Sequence, residues 1–183
     1  MRTRIGVAAA LLTTLLLGAC ERMAAPSDAI APASFSHATT ADISGYYMPV
    51  EPVRIGRWRL DHIFVGQAPE FEAWEDGVRR DAFAPLMVQF ADATSPTAAT
   101  GPGQAHSVTA RVLPTRYEVT DTAVSFEGRS PDLGAVTFVG RLDPEALATS
   151  RRNLGGDDVV LAGTLTAGGQ TMRNVRLRWS MGD

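Results

Sequence analysis

The chain has 183 residues, enough for one domain of ordinary size with a short extension. It carries 17 arginines, no lysine and 20 acidic residues, so its formal net charge at pH 7 is −3. This mild acidity excludes a protein that holds nucleic acid by excess basic charge. The single cysteine excludes a disulfide within the chain, so the fold depends on its hydrophobic core.

The first 20 residues combine a basic start, an uncharged apolar run and the only cysteine of the chain. Arg2 and Arg4 precede the apolar residues 5–17, and the sequence LGAC at 17–20 ends the run. The run is too short for a membrane-spanning helix, which needs roughly 20 apolar residues. Its length and the small residues before Cys20 are typical of a secretory signal. The segment resembles the signal peptide and lipobox of bacterial lipoproteins.

This resemblance implies that residues 1–19 are a cleaved signal peptide and that Cys20 is lipidated. In bacterial lipoproteins the cysteine sulfur takes a diacylglyceryl group, and the amino group freed by cleavage takes a further acyl chain such as palmitate. Two or more chains give stable membrane anchoring, whereas one chain binds only marginally. The competing interpretation is an ordinary cleaved signal with a cysteine nearby by chance.

The residue after the cysteine bears on which membrane would hold the protein. In the lipoprotein class an aspartate at that position is the usual signal for inner-membrane retention, and this chain has Glu21 instead. We therefore expect a lipid-anchored protein of the bacterial cell envelope, on the outer membrane and facing the periplasm. Removal of residues 1–19 would leave 15 arginines against 20 acidic residues, a net charge of −5.

Residues 20–41 are predicted to form the lipidated N-terminus and a disordered, flexible tether. The stretch is rich in alanine, proline, serine and threonine, and its only large apolar residues are Ile30 and Phe35. It cannot bury enough surface to offset the entropy lost on ordering. Roughly 20 such residues span about 25 Å in root-mean-square terms. An alternative is that Phe35 or Ile30 docks on the domain.

Residues 42–183 predict an all-β domain, an antiparallel sandwich or small barrel with one short helix. Apolar and polar residues alternate in short segments that glycine, proline and aspartate separate. No internal repeat of 20 to 50 residues is visible, which argues against a propeller or solenoid. The alternating apolar sets are Leu86, Val88 and Phe90; Val108, Ala110 and Val112; Tyr117 and Val119; Val124 and Phe126; and Val136 and Phe138.

The predicted helix begins after Asp143, which is a suitable N-cap residue followed by Pro144 at the first helical position. Two arginines near residue 152 suit the C-terminal end of the helix dipole. Residues 70–74 allow either a second short helix or an irregular rim segment. Residues 91–104, which contain two prolines and two glycines, predict a mobile loop.

The last hairpin allows a prediction of strand register. A two-residue loop at Gly168 and Gly169 would place Leu161 opposite Arg176. A three-residue loop would instead place Leu161 opposite Leu177, and Val159 opposite Trp179. We favour the second arrangement because it collects the apolar side chains on one face.

The same hairpin carries a second resemblance. The sequence VLAGTLT at 160–166, with Gly169 and residues 175–177, is similar to the closing hairpin of the YceI-type, lipocalin-like lipid binders of the bacterial periplasm. The similarity covers roughly the last 25 residues. It implies a β-barrel that carries an apolar ligand, and no functional residue is carried over from it.

The sequence predicts no catalytic residue, no cofactor and no metal site. His62 and His106 stand alone, without the spacing of metal ligands. His62 adjoins Asp61, but successive side chains of a strand point to opposite faces, which argues against a dyad. The sequence GGDD at 155–158 lacks the alternating oxygen ligands of a calcium loop. We therefore predict that the protein is not an enzyme.

Two arginine–tryptophan patterns are candidates for binding. In the first pattern Arg57 and Arg59 flank a tryptophan, and in the second Arg176 and Arg178 precede one. Such arginines suit anionic lipid headgroups or sugar phosphates, or they form the solvated face of a half-buried sheet. The side chains expected in the core would line an apolar cavity if the domain were a barrel. These side chains are Trp58, Phe90 and Trp179.

Two functions follow as hypotheses. The first is a non-enzymatic, membrane-anchored envelope lipoprotein whose β domain binds another envelope component, a protein or a lipid. The alternative is a periplasm-facing, lipocalin-like carrier of a small apolar ligand. A ligand-sized internal cavity would favour the carrier, whereas a solid core with an exposed apolar patch would favour partner binding.

Overall fold

The computed structural model describes residues 34–100, 103–154 and 156–182. The predicted signal peptide and Cys20 lie outside these residues, as does the first part of the predicted tether. Neither helix in the described part of the chain is long and apolar enough to cross a membrane. The elements are β1 Phe35–Ala38, β2 Gly45–Pro49, β3 Arg54–Ile55, β4 Trp58–Val65, α1 Ala68–Glu75, β5 Leu86–Asp92, β6 Thr97–Thr100, β7 Gly103–His106, β8 Thr109–Val112, β9 Pro114–Thr120, β10 Ala123–Ser130, β11 Gly134–Leu142, α2 Pro144–Arg152, β12 Val159–Ala167 and β13 Gln170–Ser180.

The predicted all-β class is confirmed, and the main sheet curls into a half-barrel. Its 11 strands run in the order β1-β9-β10-β11-β12-β13-β2-β4-β5-β8, with β3 beside β4. Only Leu113 separates β8 from β9, so one nearly continuous strand pairs with β5 at one end of the sheet and with β10 near the other. Gly128 allows this corner, because a Cβ there would lie 2.5 Å from the carbonyl oxygen of Leu113.

The core fills the inside of the curled sheet. Most of the predicted alternating residues point inward, and Phe90, Phe126 and Phe138 are fully buried. Val108 is an exception, because it lies just outside β8 and is 44% exposed. Residues 91–104 also differ from the predicted loop, since β5 reaches Asp92 and the short strands β6 and β7 pair with each other.

The two helices flank the sheet. The predicted helix is present as α2, with Asp143 as the N-cap accepting hydrogen bonds from the backbone N–H groups of Glu145 and Ala146. The structure has two helices where the fold prediction gave one, and residues 70–74, for which a second short helix was one of two alternatives, lie within α1. That helix forms because Gln67 and Glu70 make a capping box and its buried face inserts Phe71 and Trp74 into the core.

The register of the last hairpin was predicted in part. Leu161 does lie opposite Leu177, but the loop has two residues, Gly168 and Gly169, with φ of +57° and +71°. Leu161 and Leu177 still face each other because the strands pair irregularly between Gly163 and Leu165, where β13 contains one extra residue. A second irregularity pairs Val159 with Arg178, so its predicted pairing with Trp179 is wrong.

The predicted tether ends earlier than residue 41. Phe35–Ala38 forms β1, which pairs in parallel with β9. The Phe35 ring lies 5.0 Å from that of Tyr117, and Asp121 accepts hydrogen bonds from the backbone N–H and hydroxyl of Thr40. Aromatic packing and strand pairing thus order residues that composition alone assigns to a tether. The alternative in which Phe35 docks on the domain is the one that the structure shows.

Candidate functional site

The outer face of the sheet carries a polar cluster at an irregularity in β4. Leu60 lies opposite Phe90 and His62 lies opposite Gln89, so Asp61 is an extra residue in the strand. His62 Nδ1 lies 3.1 Å from Asp61 Oδ2, within hydrogen-bond distance. The prediction that these neighbours cannot form a dyad is therefore wrong. The alternation on which it rested breaks down where a strand contains an extra residue.

Neighbouring strands hold this dyad in place. Gln89 Nε2 donates to Asp61 Oδ2 at 3.4 Å, and the Arg111 guanidinium donates twice to Gln89 Oε1, at 3.1 and 3.2 Å. The His62 ring meets the Tyr46 ring edge-on, with 4.9 Å between centroids. The hydrogen bond from His62 lowers the pKa of Asp61, although burial opposes this effect. The Asp61 carboxylate is therefore ionised at neutral pH.

A cleft of about 230 Å³ opens beside His62. Its walls combine Tyr46, Phe64 and Phe83 with the polar ends of Gln89 and Arg111. No serine, threonine or cysteine is among the described residues that line it. The His–Asp pair therefore lacks the neighbouring serine or cysteine nucleophile of a hydrolase triad in this cleft.

A second cleft brings the two arginine–tryptophan patterns together. Arg59 of β4 and Arg178 of β13 line one cleft of about 210 Å³, together with Asp61. Arg178 also lies 3.6 Å from a carboxylate oxygen of Asp157. The juxtaposition arises because β2 is the only strand between β13 and β4. Sequence spacing alone does not reveal it, because the two arginines are 119 positions apart.

The other two arginines of these patterns form separate ion pairs. Arg57 lies 3.4 Å from Asp92 and 3.8 Å from Asp132, and Arg176 lies 3.6 Å from Glu51. Of the four arginines in the two patterns, Arg59 and Arg178 are the two that line the second cleft.

The three aromatic side chains that were predicted to line the cavity of a barrel-shaped carrier are buried in the hydrophobic core. Trp58, Phe90 and Trp179 are 5%, 0% and 6% exposed, and all three belong to the same packed cluster. Trp179 reaches the rim of the largest cleft described, about 430 Å³, where the guanidinium carbon of Arg151 lies 5.1 Å from the centre of its ring. Arg151 also pairs with Asp42 at 2.6 Å, a contact that sequence reasoning did not predict.

The remaining histidines make local contacts. His37 stacks on Phe71, with 4.1 Å between centroids, and His106 Nδ1 lies 3.0 Å from the carbonyl oxygen of Ser95. In the part of the chain that the structure describes, no three histidine, cysteine, aspartate or glutamate residues are grouped to hold a metal ion.

No protein-family model, curated protein or solved structure matches the chain. The two resemblances noted in the sequence, to lipoprotein signals and to the YceI-type hairpin, remain predictions.

Proposed function

We propose that the protein is a lipid-anchored protein of the bacterial cell envelope, held in the membrane by acyl chains on Cys20. The observation that carries this proposal is the position of the only cysteine directly behind LGA and an uncharged apolar run. Two or more acyl chains hold a protein stably at a membrane. Glu21 in place of aspartate favours the outer membrane, with the domain in the periplasm.

We further propose that the β domain acts by binding another envelope component, protein or lipid, without catalysis. Burial supports this role over that of a carrier, because the aromatic side chains that would line a chamber are members of one buried core cluster. The polar and basic groups described above lie on the outer face, where a partner has access. The segment between Cys20 and β1 has 14 residues, fewer than the predicted tether of residues 20–41.

Metabolic labelling with a radioactive or clickable fatty acid tests the anchor. Cys20→Ser should abolish incorporation and leave the product uncleaved or soluble, because the sulfur that accepts the diacylglyceryl group is gone. Ser27→Ala, in the same segment, is the matched control and should be labelled like the natural chain. Unchanged labelling of Cys20→Ser would overturn the proposal.

A further inference from the structure

The positive charge of the chain is concentrated on one part of the sheet. Strands β9 to β13 carry six arginines and two glutamates, a net charge of +4. The rest of the chain, including the turns and the helix that connect these strands, holds 11 arginines against 18 acidic residues, a net charge of −7. Four of the arginines on β9 to β13 lie between buried residues of their strands, and all six are exposed or partly exposed. They are Arg116, Arg129, Arg141, Arg173, Arg176 and Arg178.

Three of these arginines form no ion pair within the described residues. Arg129, Arg141 and Arg173 have no carboxylate within 4.0 Å, whereas the other three pair with Glu127, Glu51 and Asp157. The cross-strand neighbours of Arg141 are Ala123 and Ala162, and the neighbour of Arg129 is Ala135.

Threonines occupy much of the surface between these arginines. Thr137 lies opposite Thr166, which lies opposite Thr171 on the next strand. All three threonines are partly or fully exposed. The same face also carries Glu127, opposite Thr137, and Val139, which is 62% exposed. We call the outer surface of β9 to β13 the basic face.

We propose that the basic face docks on the anionic phospholipid headgroups of the leaflet that holds Cys20. This inference rests on the proposed lipid anchor. The chain that leaves Cys20 reaches the domain at β1, and β1 pairs with β9 at the edge of the same sheet. The basic face is thus part of the surface at which the anchor arrives, and its charge is opposite to that of an anionic leaflet.

Because the acyl chains already hold the protein at the membrane, a weak contact between the basic face and the leaflet is enough for docking. A basic residue near an anionic leaflet strengthens membrane partitioning by about fivefold, and the effect fades within roughly 8–10 Å at physiological salt. A tether of about 14 residues keeps the domain within a short distance of the leaflet, which raises the effective lipid concentration. Docking would set the orientation of the domain on the leaflet. The acidic residues of α1 and its C-terminal end lie beside β1 and are not part of the basic face. They are Glu70, Glu72, Glu75 and Asp76.

The test uses the chain from residue 20 onward with Cys20→Ser, so that binding by the basic face is measured without any acyl chain. Binding is measured by co-sedimentation with vesicles of pure phosphatidylcholine or with 30% phosphatidylglycerol, at low and high salt. The variant Arg129→Gln, Arg141→Gln and Arg173→Gln removes the three unpaired charges. The matched control, Arg54→Gln, Arg80→Gln and Arg152→Gln, has the same net charge but lies off the basic face. Thermal melting confirms that both variants fold.

We expect salt-sensitive binding to the anionic vesicles only, at least tenfold weaker in the basic-face variant and little changed in the control. Equal binding of the two variants, binding to neutral vesicles or no binding at all would overturn the inference. Self-association without lipid that the basic-face variant abolishes would also overturn it, by identifying a second copy as the occupant. Fatty-acid labelling of Cys20 is a separate readout, so failure of the anchor and failure of the docking surface are distinguishable.

Discussion

Gly45, at the start of β2, shows how closely single residues are constrained in this fold. Its φ is +141°, and a Cβ there would lie 2.2 Å from Trp179 Nε1. That nitrogen donates to the carbonyl oxygen of Ser44 at 2.9 Å. A side chain at Gly45 would therefore displace the tryptophan that closes this end of the core and supports Arg151.

Gly45→Ala is expected to lower the free energy of unfolding by about 3 kcal/mol, since backbone strain and steric overlap add together. Gly169→Ala is the matched control, because Gly169 also has positive φ, +71°, but has open space around its Cα. The control should lose only about 1 kcal/mol. Urea denaturation of both variants measures the difference, and equal losses would contradict the role assigned to the Trp179 contact.

At the same scale, the sequence predicts which residues are buried better than it predicts polar contacts. Alternation correctly places Val88, Phe126 and Leu177 in the core. It fails at Asp61, because one extra residue in β4 changes the direction of the side chains and leaves no mark in the composition. The His62–Asp61 contact could be found only once the opposing strand was known.

At the scale of elements, β1 was not predicted as a strand, and we expect its docking to depend on pH. It has four residues and pairs with one neighbour, β9. His37 lies within it and stacks on Phe71 of α1. Burial lowers the pKa of His37 below its ordinary value of 6.5, although Glu75, Glu72 and Asp121 partly oppose the shift.

Docking of β1 should therefore weaken in mild acid. Neutral His37 stabilises the docked strand fully above pH 6.5. This stabilisation is lost as the pH falls from 6.5 through the lower pKa of His37 in the docked strand, because His37 binds a proton more tightly when the strand is undocked. Hydrogen exchange at residues 35–38, corrected for intrinsic rates, should be faster at pH 5.5 than at pH 7.5. His37→Phe keeps an aromatic ring without a titrating group and should abolish the difference. Greater protection of the natural chain at the lower pH would contradict this account.

The elements show where local sequence is informative. Helix α2 follows from its cap and proline, and both signals lie within three residues. In the last hairpin, the pairing of Leu161 with Leu177 follows from burial, but the short loop and the compensating extra residue do not. Pairing of β1 with β9 joins residues about 80 positions apart, so the composition of the N-terminal segment cannot reveal it.

At the scale of the whole molecule, the buried aromatic core and the positive charge of β9 to β13 favour a function at the outer surface. The all-β class was predictable from period-two patterning, whereas the order of the strands was not. That order brings Arg59 and Arg178 to one cleft. The basic face instead lies on five strands that neighbour each other in chain order, and of its arginines only Arg176 and Arg178 were singled out in the sequence.

The central claim is that an acylated Cys20 anchors a domain that works through its surface. Native mass spectrometry of the natural protein, extracted from the membrane fraction in mild detergent, tests both parts at once. We predict the mass of residues 20–183 with acyl groups on Cys20 and no small apolar molecule enclosed in the domain. An unmodified cysteine would contradict the anchor, and a small apolar molecule lost only on denaturation would contradict the surface role in favour of the carrier.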